Sequence, residues 1–192
     1  MSLYDPSHTA LIVIDLQEAI LRGDRAPYPA SDILARSVAI GRQLKAAGGT
    51  LVMVHVAWAD DFADTPKGQV DSSFPRPAGA KGSDGSAIAP DLLALAPQLV
   101  LTKKSWGAFA GTELDTQLRR RGIDTVIVTG IATNFGVEST VREAWPLNYS
   151  VIVAEDACGS MNAELHAFAV RTIFPRLARV RSTAEILANT GA

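Results

Sequence analysis

The sequence has little of what marks secreted, membrane-spanning or nucleic-acid-binding proteins. It contains a single cysteine, Cys158, which excludes an internal disulfide framework and favours a reducing compartment. Its first apolar run covers residues 10–14 only, which is too short for the core of a signal peptide or for a membrane span. The net charge is -2 and the longest basic run is residues 119–121, so we expect no nucleic acid and no membrane as partner. These absences predict a cytoplasmic protein that acts on a small molecule.

Motifs for common cofactors and metals are also missing. No Gly-x-Gly-x-x-Gly follows the first apolar run, and no P-loop motif occurs anywhere, so neither a dinucleotide nor a triphosphate site is predicted. The histidines His8, His55 and His166 lack the spacing of a metal motif. Cys158 has no histidine nearby in sequence, which favours a buried structural thiol over a nucleophile. We therefore expect no cofactor and no metal.

What the sequence does contain is a regular alternation of strands and helices. Short β-branched apolar runs predict six strands, at residues 10–15, 50–56, 99–103, 125–129, 150–154 and 178–181. The segments between them have the apolar spacing of helices, and stop or start signals bound them: Gly48, Gly122 and Pro175 as stops, and Asp156, Asn162 and Ser182 or Thr183 as starts. The pattern predicts one α/β domain over residues 1–192, with a doubly wound, Rossmann-like, mostly parallel six-stranded sheet and helices on both faces.

One segment interrupts this alternation. Residues 60–90 are rich in proline and glycine and have little periodicity. In an ordinary domain such a segment is typical of a lid, an active-site loop or a subunit contact. Because it follows the second predicted strand, we expect it to lie over the edge of the sheet where the strands end.

Two ionisable residues end predicted strands. Asp15 follows four apolar residues at the end of the first strand, and Lys103 ends the third. Ligands of open α/β sheets bind at this edge, where a carboxyl group packed against apolar neighbours has a raised pKa suited to proton donation. A turn cap at Asp15 or a solvated Lys103 would be the structural alternative. Since side chains alternate along a strand, only one of Lys103 and Lys104 can point inward.

The turn after the fourth strand is the strongest local feature. Residues 130–136, called the elbow below, run through a sharp glycine turn into an amphipathic helix that begins near Asn134. Free N–H groups at the start of such a helix favour anions and developing oxyanions. The structural alternative is a tight connection that needs Gly130 for its backbone angle and Gly136 for close packing. Trp106 and Phe109, close to Lys103 in sequence, are candidates for a pocket wall.

Together these residues resemble the isochorismatase-like hydrolases, also called the cysteine hydrolase superfamily. The resemblance rests on Asp-Leu-Gln at Asp15, Lys-x-x-x-Gly-Ala-Phe at Lys103, Thr-Gly-Ile-Ala-Thr-Asn at the elbow and Glu-Asp-Ala at Glu155. It implies that Asp15 and Lys103 are catalytic, that the Ile131–Ala132 peptide bond is cis, and that the protein is a homodimer or homotetramer. It also implies a set of residues that contact the substrate: Gln17, Trp106, Phe109, Ile131, Ala132 and Gly136.

The sequence departs from the family's usual pattern at Gly136, the position that commonly holds a nucleophilic cysteine. Without a thiol there, amide hydrolysis through a thioester cannot proceed. Family members that act on isochorismate also lack this cysteine, and they cleave a vinyl ether by protonating carbon, which requires a general acid. The resemblance therefore implies a hydrolase of a small, anionic metabolite that forms no covalent cysteine intermediate. The alternative is a non-catalytic ligand-binding protein, or pseudoenzyme, with the same fold.

Overall fold

The computed structural model describes residues 3–72 and 84–188 and is built around a six-stranded sheet. Every neighbouring pair of strands is parallel, and the order across the sheet is β3-β2-β1-β4-β5-β6. The strands are β1 Thr9–Ile14, β2 Thr50–Val56, β3 Leu99–Lys103, β4 Thr125–Ile131, β5 Ser150–Gly159 and β6 Arg179–Arg181. This order is that of a doubly wound Rossmann-like sheet and confirms the predicted fold class.

The central strand β1 is buried along its whole length because both faces of the sheet are covered. Leu11 and Val13 pack into the core on one face, while Ile12 and Ile14 pack into the core on the other. This alternation explains why the strand is apolar throughout, since in a parallel sheet both sets of side chains lie in a core.

Seven α-helices flank the sheet in the described residues: α1 Glu18–Leu21, α2 Ala30–Ala46, α3 Pro90–Leu93, α4 Leu114–Arg120, α5 Glu138–Ala144, α6 Ala163–Phe168 and α7 Thr183–Ala188. The longest, α2, buries Ile33, Ile40 and Leu44 against the same face as α7. Helices α4 and α5 bury Leu118 and Val141 on the opposite face. None of the helices in this part of the chain is both long and apolar enough to cross a membrane.

The end of β5 differs from the sequence prediction. The strand continues to Gly159, past the predicted end at residue 154, because its ladder with β4 resumes after an irregularity and pairs Gly130 with Cys158. The prediction that Asp156 starts a helix is therefore wrong. Its carboxylate instead accepts hydrogen bonds from the N–H and hydroxyl of Thr183, at 2.7 Å and 2.8 Å. Asn162 caps α6 as predicted, by accepting from the Leu165 N–H at 2.9 Å.

The segment rich in proline and glycine is tied to the edge of the sheet at its C-terminal end. Residues 60–72 form turns and irregular structure, and a 3-10 turn at Asp84–Ser86 leads to Ile88, which pairs with Gln17 in an antiparallel bridge. Residues 73–83 lie outside the described residues. The role of this segment as a lid, an active-site loop or a subunit contact therefore stays a prediction.

Candidate functional site

The strand order reverses between β1 and β4, and the carboxyl ends of these two strands lie side by side. In doubly wound sheets a crevice opens at such a switch point because the connections leave toward opposite sides. Asp15 follows β1 directly, and the elbow begins within β4 at Gly130. The topology alone therefore brings these two features of the sequence to one place.

Asp15 and Lys103 form a buried ion pair at this edge. The Lys103 ammonium lies 2.8 Å from Asp15 Oδ2 and also donates to the carbonyl of Ser105 at 3.0 Å. The two residues are only 5% and 2% exposed. Lys104 points the other way, toward the Ala57 carbonyl and Asp64, so one lysine of the pair faces inward as expected.

The backbone conformation and the burial of Asp15 both cost free energy. Its backbone has φ 55, a left-handed conformation that aspartate tolerates better than most residues. Its second carboxyl oxygen, Oδ1, is buried and accepts no hydrogen bond, and such a group costs about 1–3 kcal/mol. Burial raises the pKa of the Asp15 carboxyl, although the attraction of Lys103 opposes this. The result is a carboxyl group that is well suited to hold and release a proton.

Gly136 lies directly against this ion pair. A Cβ atom built at position 136 would lie 3.0 Å from Ile14 Cγ2, 3.2 Å from Asp15 Oδ2 and 3.4 Å from the Trp106 carbonyl oxygen. The structure thus brings Asp15, Lys103 and Gly136 together at one edge of the sheet. The absence of a side chain at Gly136 allows the elbow backbone to approach the carboxylate closely.

The elbow has the cis peptide bond that the family resemblance implies, and its glycine turn has the backbone angle that the structural alternative requires. The Ile131–Ala132 peptide bond is cis, and Gly130 has φ 127. A Cβ atom at Gly130 would lie 2.0 Å from the Ile14 carbonyl oxygen, so only glycine fits there. The helix then opens with a single π-helical turn, Thr133–Val137, a geometry that is frequent at functional sites.

Helix α5 holds the loop after β3 against the elbow. The Thr140 hydroxyl donates to the Gly136 carbonyl at 2.7 Å and accepts from the Ala108 N–H at 3.2 Å. One turn further along, Glu143 Oε2 accepts from the N–H groups of Phe109 at 2.9 Å and of Ala110 at 3.3 Å. The sequence prediction missed Glu143. The available signal was its spacing, because positions 136, 140 and 143 lie on one face of a helix.

Two further side chains fix the neighbouring strand ends. Gln17 is fully buried; its amide donates to the Val56 carbonyl at 3.0 Å and accepts from the Val56 N–H at 2.9 Å. Its nitrogen also donates to the Gly85 carbonyl at 3.2 Å. His55 Nδ1 lies 2.7 Å from the Ser86 carbonyl, which ties the same segment to β2. Gln17 therefore organises this edge, and its predicted contact with substrate stays a prediction.

The remaining predicted contact residues differ in exposure. Trp106 is 55% exposed, and its ring lies edge-on to Phe135 with centroids 4.9 Å apart, so it can form a wall beside the elbow. The Phe109 ring is buried in the core 5.6 Å from that of Tyr149, and Ile131 is buried in the core on the other face of the sheet. Ala132 is partly buried. A substrate contact of these four residues stays a prediction.

Cys158 lies in β5, away from the position that a nucleophile would occupy. It is fully buried and pairs with Gly130 in the sheet. Burial raises the pKa of its thiol, which makes it a poor nucleophile. Within residues 3–72 and 84–188, no group of three or more His, Cys, Asp or Glu side chains is placed to hold a metal ion.

The family model of the isochorismatase domain matches residues 9–185. The chain is 44% identical over 179 residues to the uncharacterized isochorismatase family protein YecD of Escherichia coli O157:H7, covering 93% of this chain and 94% of that protein. An isochorismatase family protein from Burkholderia thailandensis superposes with a TM-score of 0.91 at 38% identity, covering 98% of each chain. N-carbamoylsarcosine amidase from Thermoplasma acidophilum superposes with a TM-score of 0.73 at 26% identity, covering 91% of this chain and 96% of that one. The chain belongs to the isochorismatase family and has its hydrolase fold.

Proposed function

We propose that this protein hydrolyses a small, anionic vinyl ether by proton transfer, without a covalent cysteine intermediate. The observation that carries the proposal is the Asp15 carboxyl group, which is buried, has an unpaired oxygen and lies against the bare backbone of Gly136. Burial favours the protonated form, and a protonated carboxyl can donate to carbon.

In the proposed reaction, Asp15 is the general acid. Its proton is transferred to the terminal carbon of the vinyl ether, and the π electrons form the new C–H bond. Water then adds to the resulting oxocarbenium-like carbon and returns a proton to the Asp15 carboxylate. The hemiketal collapses to a ketone and an alcohol. Lys103, 2.8 Å from Asp15, orients the carboxylate and stabilises its charge after proton transfer.

The elbow supplies the second half of the proposed site. Residues 131–136 place the helix start next to Asp15, where backbone N–H groups favour a substrate carboxylate. Trp106 forms an exposed aromatic wall beside it. An anionic substrate with a small apolar part fits this combination of groups.

The glycine at position 136 distinguishes the proposed reaction from amide hydrolysis. The name of the Thermoplasma acidophilum relative describes an amidase. An amidase that works through a thioester needs a thiol beside Asp15, and the only cysteine of this chain, Cys158, is fully buried in β5. We propose that the chain belongs to the branch of the family with glycine at this position. A cytoplasmic location and assembly into a homodimer or homotetramer also stay predictions.

A screen with a matched pair of variants tests the proposed function. The purified wild type and the variants Asp15→Asn and Asp64→Asn are each assayed with isochorismate-type vinyl ethers and with small amides. Asp64 pairs with Lys104 at the surface and gives the same substitution in an exposed ion pair. We expect vinyl-ether turnover by the wild type and Asp64→Asn, with a loss of about 100-fold or more in Asp15→Asn. Ligand binding without turnover would instead support a pseudoenzyme, and amide turnover would contradict the proposed chemistry.

A further inference from the structure

A second buried polar cluster joins the elbow to the end of β5 and to α6. Thr133, the first residue of the π-helical turn, is completely buried, and its hydroxyl lies 2.9 Å from Nδ1 of the buried His166 on α6. On the other side of the ring, His166 Nε2 lies 3.7 Å from Glu155 Oε2. The Tyr28 hydroxyl donates to the same Glu155 oxygen at 3.3 Å.

The protonation states of the partners determine which groups in this cluster donate and which accept. Burial lowers the pKa of His166, which favours the neutral ring with one N–H. Burial raises the pKa of Glu155, and the ionised form of this group can only accept, so we assign the N–H of the ring to Nε2, which faces Glu155. Nδ1 is then the acceptor for the Thr133 hydroxyl. A hydrogen bond therefore joins Thr133 to His166, and an electrostatic contact at 3.7 Å joins His166 to Glu155.

A hydroxyl, an imidazole and a carboxylate in this order also occur in hydrolytic triads. Thr133 cannot be a nucleophile of that kind, because it is 0% exposed and a substrate cannot reach its oxygen. The cluster is instead attached to the backbone of the elbow. Thr133 follows Ala132 and lies three residues before Gly136, where an added Cβ atom would lie 3.2 Å from Asp15 Oδ2.

A separate contact holds the next residue of the elbow. The Ser160 hydroxyl donates to the Asn134 side-chain oxygen. Both Thr133 and Asn134 are thus held from the β5 and α6 side, while Thr140 holds Gly136 from within α5. The elbow is fixed by side-chain hydrogen bonds on two sides.

We propose that Thr133, His166 and Glu155 form a positioning network that keeps the elbow backbone against Asp15 without touching the substrate. Only the predicted effect of this network on the reaction rate rests on the function proposed above. A small displacement of Gly136 changes the distance between the proton donor and the bound substrate, and misplacement of about 1 Å costs on the order of 100-fold in rate. The network therefore affects turnover more than substrate binding.

A matched pair of variants at Thr133 provides the test. Thr133→Val keeps the shape of the side chain and removes the hydroxyl, whereas Thr133→Ser keeps the hydroxyl. We expect Thr133→Val to lower kcat roughly tenfold with KM within about twofold, and Thr133→Ser to stay close to the wild type. At His166, His166→Asn places an amide near Nδ1 and retains most of kcat, while His166→Leu behaves like Thr133→Val.

Hydrogen exchange measured by mass spectrometry gives a readout that needs no substrate. Backbone amides of residues 131–137 are expected to exchange at least about fivefold faster in Thr133→Val than in Thr133→Ser, with β1 and β2 unchanged. Equal exchange and equal kcat in the two Thr133 variants would overturn the network. A wild type without vinyl-ether turnover would contradict the proposed function. The comparison of hydrogen exchange would still show whether the Thr133 hydroxyl holds the elbow in place.

Discussion

Asp15 combines a left-handed backbone, a buried ion pair and a carboxyl oxygen without a hydrogen bond. Each of these features costs free energy, and stability alone would not retain all of them at one residue. Strained and unsatisfied groups concentrate at functional sites because binding and chemistry use them. At the scale of the residue, this is the strongest reason to place the chemistry at Asp15.

The raised pKa of Asp15 predicts how stability depends on pH. Because the folded state holds this proton more tightly than the unfolded state, protonation contributes stability below the ordinary value of 3.8, and this contribution is lost as pH rises through the raised pKa. We expect the wild type to gain stability relative to Asp15→Asn as pH falls toward about 4. Urea denaturation of both proteins over a pH series measures the difference. A difference that grows with rising pH would show that the attraction of Lys103 outweighs burial.

Gly136 predicts the outcome of restoring a thiol. Because a Cβ atom at this position would lie 3.0 Å from Ile14 and 3.2 Å from Asp15, these neighbours must shift by a few tenths of an ångström to admit a cysteine side chain. We expect Gly136→Cys to lower vinyl-ether turnover roughly tenfold or more and to create no efficient amidase. Both activities are measured by kinetics with vinyl ethers and amides, and the reactivity of the new thiol by titration with a thiol reagent. Gly136→Ala is the control for the effect of an added side chain without a thiol. An activated thiol with amidase turnover would show that the chain is an amidase that has lost its nucleophile.

At the scale of elements, α5 and the loop after β3 form one unit around Glu143. A Cβ atom at Gly107 would lie 2.0 Å from Glu143 Oε1, and this carboxylate is held by two backbone N–H groups. A side chain at Gly107 must therefore break those hydrogen bonds. The loop that carries Trp106 depends in this way on a residue of α5.

A double-mutant cycle tests this unit. We expect Gly107→Ala to lower the free energy of unfolding by about 1–3 kcal/mol, since it leaves backbone donors without their acceptor. In a Glu143→Ala background the same substitution should cost much less, because the clash and the hydrogen bonds are already absent. Denaturant unfolding of the four proteins gives the coupling energy. Strictly additive effects would contradict the proposed dependence.

Comparison of individual elements shows what the sequence could predict. Asp15 and Lys103 were predictable because each ends an apolar strand, and parallel topology brings strand ends together. The continuation of β5 to Gly159 was not, because it depends on how the ladder resumes opposite Gly130. Glu143 and His166 were missed as site residues for a similar reason. Their partners belong to other elements, and no local pattern specifies contacts between distant segments.

At the scale of the whole molecule, the exposed apolar residues predict self-association. Leu165 and Phe168 lie three residues apart on α6 and are 38% and 60% exposed, and Met161, just before the helix, is 44% exposed. We expect a homodimer or homotetramer by light scattering at micromolar concentration, and a smaller species for Phe168→Glu. A monomeric wild type would contradict the predicted assembly without affecting the chemistry at Asp15.

At the switch point of the sheet, β1, β4 and the elbow bring the buried Asp15 carboxyl group and the bare backbone of Gly136 together at one edge. The central claim is that Asp15 protonates a substrate carbon. Its most direct test is hydrolysis of isochorismate in D2O by the wild type and Asp15→Asn, with mass spectrometry of the released pyruvate and of the intact protein. We expect rapid formation of pyruvate with one deuterium in its methyl group, a rate lower by about 100-fold or more in Asp15→Asn, and no covalent adduct. Hydrolysis that is unaffected by Asp15→Asn, or an acylated protein, would contradict the account.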